Sequence, residues 1–255
     1  MISVYERGIL ARYITTTSTK ARHQAKLLSL LDWIQRWGYT SPAVLQGLWG
    51  LDKSVINRMV RRYVREELIA EVPVYSCRDK RVFILKPEGL RTIESFHQAE
   101  FKYNTKPSSF PIKTLTHDLM VQYLVAKGCC EGNYRFFINE AEQGKDGTGK
   151  KRRLDAIVYN CGELQGIEVE CSSKTIPYRL DIIRRYRSAI VEEQKVSKIL
   201  MFSHKRRYLR DAERIHDKLF ADADNNLDKA FFEAHLKFVF SRRITAELYE
   251  SFWAF

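Results

Sequence analysis

Leu27, Leu28, Leu30, Leu31, Ile34 and Trp37 recur at helical spacing over residues 21–37, and Gly38 ends the run. Ser41-Pro42 opens a second, shorter helix, with serine as N-cap and proline at the first helical position. That helix carries Val44, Leu45 and Leu48 and stops at Gly50. A third helix is predicted over residues 52–68. Val55, Ile56, Met59, Val60 and Tyr63 form its apolar stripe, while Ser54, Asn57, Arg58, Arg61, Arg62 and Arg65 fall on the other side in steps of three and four. Residues 71–75 and 81–85 read as strands joined by a polar turn around Arg78-Asp79-Lys80, which predicts a hairpin. Pro87-Glu88-Gly89-Leu90 then opens another helix.

A polar stretch over 96–110, with Asn104, Pro107, Ser108 and Ser109, reads as a linker. The pattern resumes at Ile112. It predicts a helix over 114–127, a strand over 134–140, a Gly/Lys-rich loop over 143–151 and two strands over 154–159 and 164–171. A helix over 177–193, a strand over 198–202, a charged helix over 206–220, a strand over 236–240 and a C-terminal helix complete the chain. The expected organisation is an N-terminal domain over 1–95, a linker over 96–110 and a second domain over 111–255. The class is α+β.

Composition changes the picture mainly through charge. The 255 residues are 45% hydrophobic, enough for one large or two small cores. The net charge is +12, and a folded basic protein of this kind usually meets a polyanion. No apolar run approaches the ~20 residues of a membrane span, and the first residues do not open a signal peptide. A nucleic acid in the cytoplasm is therefore the expected partner, with no membrane role. The five cysteines, Cys77, Cys129, Cys130, Cys161 and Cys171, are odd in number and lack zinc-site spacing. They read as reduced thiols.

Three helices followed by a hairpin predict a winged helix-turn-helix. Its third helix would lie in the major groove, with Ser54, Asn57 and Arg58 near base edges and Arg61 or Arg62 near phosphate. Arg65 and Lys80 of the hairpin turn complete the candidate DNA-binding set there. The competing explanation is a solvated arginine face, and winged helices also mediate protein contacts.

The chemistry-bearing pattern lies in the second part. Asn160-Cys161-Gly162-Glu163 has turn composition between two apolar strands. An antiparallel hairpin folded there sets Asp155 opposite Glu168, with Glu170 two residues on and on the same side. Cross-strand Cβ atoms lie ~5 Å apart, so three carboxylates converge among Leu154, Ala156, Val158, Ile167 and Val169. Like charges placed so oppose folding unless a cation joins them, and hard oxygen ligands suit Mg²⁺ or Mn²⁺. Such a metal activates water for phosphodiester attack. Glu140 is a candidate further ligand or water-orienting group, and Lys174 a candidate partner for the developing phosphate charge. His117 and Asp118 are candidates for a capping or supporting role. The alternative is an ordinary exposed acidic strand face. The six histidines are scattered and no tyrosine has a visible activating partner, which disfavours a covalent tyrosine route.

The order helix, three strands, helix, strand, with Leu154-Asp155 and Glu168-Val169-Glu170 on the second and third strands, resembles the PD-(D/E)XK nuclease fold of restriction endonucleases. Leu154 stands where that fold usually has proline, and Glu170 where it usually has lysine. Lys174 is the candidate displaced lysine. A closer resemblance runs over most of the chain: the winged helix, Thr116-His117, Asn139-Glu140, Asp155-Ala156, Ile167 to Glu170, and Ser173-Lys174-Thr175 before an arginine- and tyrosine-bearing helix. This pattern is similar to the replication-relaxation proteins and the MobC-type relaxases of mobilisable plasmids. The resemblance implies a Mg²⁺- or Mn²⁺-dependent relaxase that recognises a plasmid transfer origin and nicks one strand of supercoiled DNA. An accessory mobilisation or coupling protein would be a further partner. Lys150, Lys151, Arg152 and Arg153, then Arg179, Arg184, Arg185 and Arg187, then Lys205, Arg206, Arg207 and Arg210 flank the proposed site. Together they are expected to carry phosphate strands past it, with binding that weakens steeply in salt. A non-enzymatic DNA-binding regulator and a restriction-type double-strand endonuclease are the rival expectations.

Overall fold

The structure, a computed structural model, describes residues 17–75, 77, 79–106, 114–144 and 153–241. Ile112, Lys150, Lys151, Arg152, Arg78 and the expected C-terminal helix lie outside the described residues, as does the linker from residue 107 on. The chain is α+β and divides into two compact units, the first ending at Phe136 and the second starting at Phe137. No helix among the described residues is long and apolar enough to cross a membrane.

In the first unit, α1 (Thr19–Trp37) starts on a Ser18 cap and ends on Gly38 in the left-handed conformation. α2 (Pro42–Trp49) carries the expected Ser41 cap and stops at left-handed Gly50. α3 (Lys53–Arg65) ends three residues earlier than predicted. The hairpin strands are β1 (Ile69–Pro73) and β2 (Arg81–Leu85), antiparallel, with Val72 opposite Val82. The first strand therefore starts two residues earlier than the pattern predicts. Thr40, between α1 and α2, exchanges both backbone hydrogen bonds with Phe83 and so adds a one-residue third strand along the other edge of β2.

α4 (Pro87–His97) seats against this hairpin through Gly89. A Cβ placed there would lie 2.1 Å from the Leu68 carbonyl oxygen. Gly89→Ala is expected to cost about 1–3 kcal/mol by overpacking against backbone that cannot yield; urea unfolding would read it, and an unchanged midpoint would refute the close approach.

The expected domain organisation is corrected at two points. Residues 98–106 do not hang as a free linker. The Tyr103 hydroxyl donates to the Gly38 carbonyl (2.6 Å) and accepts from the Leu85 amide (3.0 Å). The next helix, α5 (Leu115–Cys130), belongs with the first unit and not with the second. Its Tyr123 ring rests on Gly47 of α2, where a Cβ would come within 3.1 Å, and its buried Gln122 accepts from Trp33 Nε1 at 3.0 Å. A helix with apolar residues on all sides meets a helix floor already built by α1 and α2, and proximity in sequence to the strands is a poor guide to that partner.

The second unit is built on one mixed five-stranded sheet in chain order: β3 (Phe136–Asn139), β4 (Ala156–Asn160), β5 (Glu163–Val169), β6 (Lys198–Ser203) and β7 (Leu236–Phe240). β4 and β5 are antiparallel, β5 and β6 parallel, β6 and β7 parallel. The β5–β6 crossover is α6 (Ile176–Arg187) with a π-helical turn over Ser188–Glu192. The β6–β7 crossover is α7 (Arg206–Ala221) and α8 (Lys229–His235), the latter too short to show in the hydrophobic pattern. The core joins one sheet face (Ile157, Ile199, Met201) to α6 and α7 through Ile182, Ile183, Tyr186, Leu209, Ile215 and Leu219.

Candidate functional site

The β4–β5 turn fixes everything downstream of it. Cys161 and Gly162 take positive φ values of 49° and 88°, the twist a two-residue hairpin needs. The register that follows pairs Ala156 with Ile167 and Asn160 with Glu163. The paired residues end at Ala156 and Ile167, so Asp155, one residue before β4, and Glu168, one residue past Ile167 in β5, lie at the same end of the pair. Asp155 lies just before β4 rather than within it, and its Oδ2 accepts from the Val169 backbone amide at 2.7 Å.

A clamp with no signal in the sequence holds this end of the strand. The Gln143 side chain donates to the Leu154 carbonyl (2.6 Å) and accepts from the Leu154 amide (2.9 Å), so the residue before Asp155 is gripped on both backbone groups. Gly166 admits the Leu154 side chain beneath β5; a Cβ there would lie 2.7 Å from Leu154 Cδ1.

Along β5, Gly166, Glu168 and Glu170 alternate onto the face that also carries Ile157, Ile199 and Met201. Helix α6 covers that face, and this decides the fate of Glu170. Its Oε2 accepts from Arg179 Nη2 at 2.6 Å and its Oε1 is ion-paired with Lys174. Arg179 is 1% exposed and Glu170 3%. Backbone bonds anchor the same residue: the Glu170 amide donates to the Phe202 carbonyl, and the buried Ser203 hydroxyl donates to the Glu170 carbonyl.

The three-carboxylate convergence is thereby corrected. Among the described residues no three His, Cys, Asp or Glu side chains stand close enough to hold one metal ion. Glu170 is directed to two cations because a carboxylate this deeply buried needs paired charge. Asp155 and Glu168 lie at the same end of the β4–β5 pair, and Lys174 is ion-paired with Glu170, two residues past Glu168. Their oxygens are hard donors of the kind that fits a divalent ion completing its shell with water and phosphate. Glu140 is exposed and pairs with Arg153 at 3.5 Å, which places it with the basic flank rather than in the acidic pair.

The basic flanks divide. Arg184, Arg206, Arg207 and Arg210 are exposed, Arg185 pairs with Asp181 and Arg187 with Glu192. Arg179, expected on the surface, is buried. His117 and Asp118 sit on α5 in the first unit, where Asp118 accepts from Tyr39 (2.8 Å) and Thr114 (2.7 Å) and pairs with His117.

On the first unit, Ser54, Arg58, Arg61, Arg62 and Arg65 are exposed along one side of α3 and Asn57 is half-buried. Ile56, Val60 and Tyr63 face the core. Arg62 is tied to Glu66 at 2.6 Å. The hairpin adds exposed Lys80 and a residue that the strand pattern does not single out, Tyr75, which is 93% exposed beside the turn. Asp79 pins the turn: its carboxylate accepts from the Ala43 amide at 3.1 Å and from Lys53 Nζ at 2.8 Å.

One buried group near the site reports on folding. His216 of α7 packs between Phe220 and Phe238, and neither ring nitrogen has a hydrogen-bond partner among the described residues. Burial, with the Arg179 guanidinium adding to it, drives the imidazole down to about 3. The folded state therefore keeps it neutral while the unfolded chain takes up a proton below about 6.5. Stability is full above that value and declines as pH falls toward 3. Between pH 7.5 and 5.0, His216→Leu should lose about 2 kcal/mol less than the parent in urea unfolding; equal losses would refute a neutral core histidine.

No family model, curated protein or solved structure matches the chain.

Proposed function

We propose that the chain is a metal-dependent DNA-nicking enzyme of the relaxase type. The first unit, read as a winged helix-turn-helix, holds a specific duplex site. The second, read as a PD-(D/E)XK-like domain, cuts one strand near it. The observation that carries the reading is the β4–β5 register, which brings Asp155 and Glu168 to the same end of the strand pair, with the Glu170–Lys174 ion pair two residues past Glu168.

Asp155 and Glu168 would hold Mg²⁺ or Mn²⁺, and the ion, when bound, supplies an activated water and a polarised phosphoryl oxygen. The rest is the chain's own work. Gln143 and the Val169 amide fix where Asp155 points. Lys174, 23% exposed, offers its ammonium to a scissile phosphate, and Glu170 limits its freedom. For the first unit, the Thr40–Phe83 rung, the hairpin and the arginine side of α3 support docking in a major groove.

A second reading, a DNA-binding regulator with a degenerate nuclease domain, is favoured by the commitment of Glu170 to two cations. One experiment separates them. Binding sites are selected from random duplex DNA, cloned into supercoiled plasmid and incubated with protein and Mg²⁺ or Mn²⁺. Nicked circles support the enzyme; retardation without nicking supports the regulator; linear product points to a restriction-type enzyme. Arg61→Ala and Arg65→Ala should each weaken binding and lower the salt slope by about one.

A further inference from the structure

We infer that Arg81 of the hairpin sets which base Asn57 reads, making guanine and not adenine its target. The inference rests on the proposed docking of α3 in the major groove. Arg81, the first residue of β2, reaches across to α3 and donates through Nη2 to Asn57 Oδ1 at 2.8 Å. Its Nη1 bonds Glu71 Oε2 of β1 at 2.9 Å, so the guanidinium is fixed at two points.

A guanidinium has donors and no acceptor, so the amide can meet it only with its carbonyl oxygen. That settles which end of Asn57 is left over. Its Nδ2 amino group, with no hydrogen-bond partner among the described residues, is the group available to DNA. An asparagine that reads adenine uses both ends, Oδ1 accepting from N6 and Nδ2 donating to N7. Here Oδ1 already accepts from Arg81, whose guanidinium Glu71 holds in place. The adenine amino group would have to share that oxygen with a second, fixed donor. Guanine presents two acceptors, N7 and O6, to the same edge. The Arg81–Asn57 pair therefore offers a donor edge whose oxygen is already committed, which matches guanine better than adenine. Arg81 acts here as a positioning residue, reaching the base only through the amide it orients.

The test is site selection from random duplex DNA by full-length protein, with Arg81→Leu, Asn57→Ala and Asn57→Asp alongside. Asn57→Ala locates the position that Asn57 reads, because preference fades there alone. At that position the parent is expected to favour guanine over adenine by at least about fivefold. Arg81→Leu, which keeps apolar bulk and frees the amide, should move that position toward adenine and leave the others unchanged. Asn57→Asp keeps the bond to Arg81 but carries acceptors only, so it should lose guanine in favour of a base offering an amino group; it serves if Arg81→Leu fails to fold. Adenine preference in the parent, or an Asn57-dependent position that neither variant alters, would overturn the inference. A parent that selects no sequence at all would overturn the DNA reading beneath it, a distinguishable failure.

Discussion

Replacing Arg179 by methionine will destabilise the second unit by about 3–5 kcal/mol, because it strands a buried carboxylate. Arg179 and Glu170 are 1% and 3% exposed and bonded at 2.6 Å. Lys174 would remain as the charge against Glu170, and it is partly open to water. Removing both partners of the buried pair is a different experiment. Arg179→Met with Glu170→Leu leaves no uncompensated charge, and such apolar replacements are often neutral or stabilising. Urea unfolding of the two variants should therefore diverge, the single one far below the parent and the double one near it. Equal losses would mean that packing, and not charge pairing, is what Arg179 supplies. The double variant has a second use: it removes the anchor of Lys174, so a stable protein that no longer nicks would separate the anchor's role in activity from its role in folding.

The other large effect concerns activity. On the proposed mechanism, Asp155→Asn and Glu168→Gln should each lower the nicking rate by about 10²–10³, since each would withdraw a charged ligand worth several kcal/mol to the transition state. The Asp155→Asn side chain keeps an oxygen for the Val169 amide, so the local fold should survive. DNA retardation should stay within about twofold of the parent, because the proposed duplex-holding surface lies on α3. Nicking that persists in both variants would remove this acidic pair from the mechanism.

The β4–β5 register is legible in the sequence, because a two-residue connection with positive φ at both positions fixes the pairing of every residue beyond it. The caps Ser41 and Gly50 and the two sides of α3 follow from equally local rules. The features that escape such rules are non-local. Arg179 sits in a run of arginines at helical spacing, and nothing in that spacing says that its turn of α6 faces Glu170, nine residues back. Glu170 reads as a third ligand because alternation gives a side chain its face but not its partner. α5 reads with the strands that follow it, whereas Gly47 and Trp33 give it a closer fit elsewhere. The Thr40 rung is a single residue and leaves no periodicity to detect. Gln143, at the edge of a loop rich in Gly and Lys, carries no signal of the clamp it forms.

Asp79 has a consequence for the thermodynamics of recognition. By bonding the first turn of α2 and the start of α3 at once, it fastens the hairpin to both helices before any ligand arrives. Association then needs little ordering of that part of the protein. The entropic penalty falls mainly on side chains such as Arg58 and Arg65 rather than on backbone. On the proposed DNA reading, preorganisation of this kind would let a carboxylate, which a phosphate strand would repel, favour complex formation through the backbone it holds.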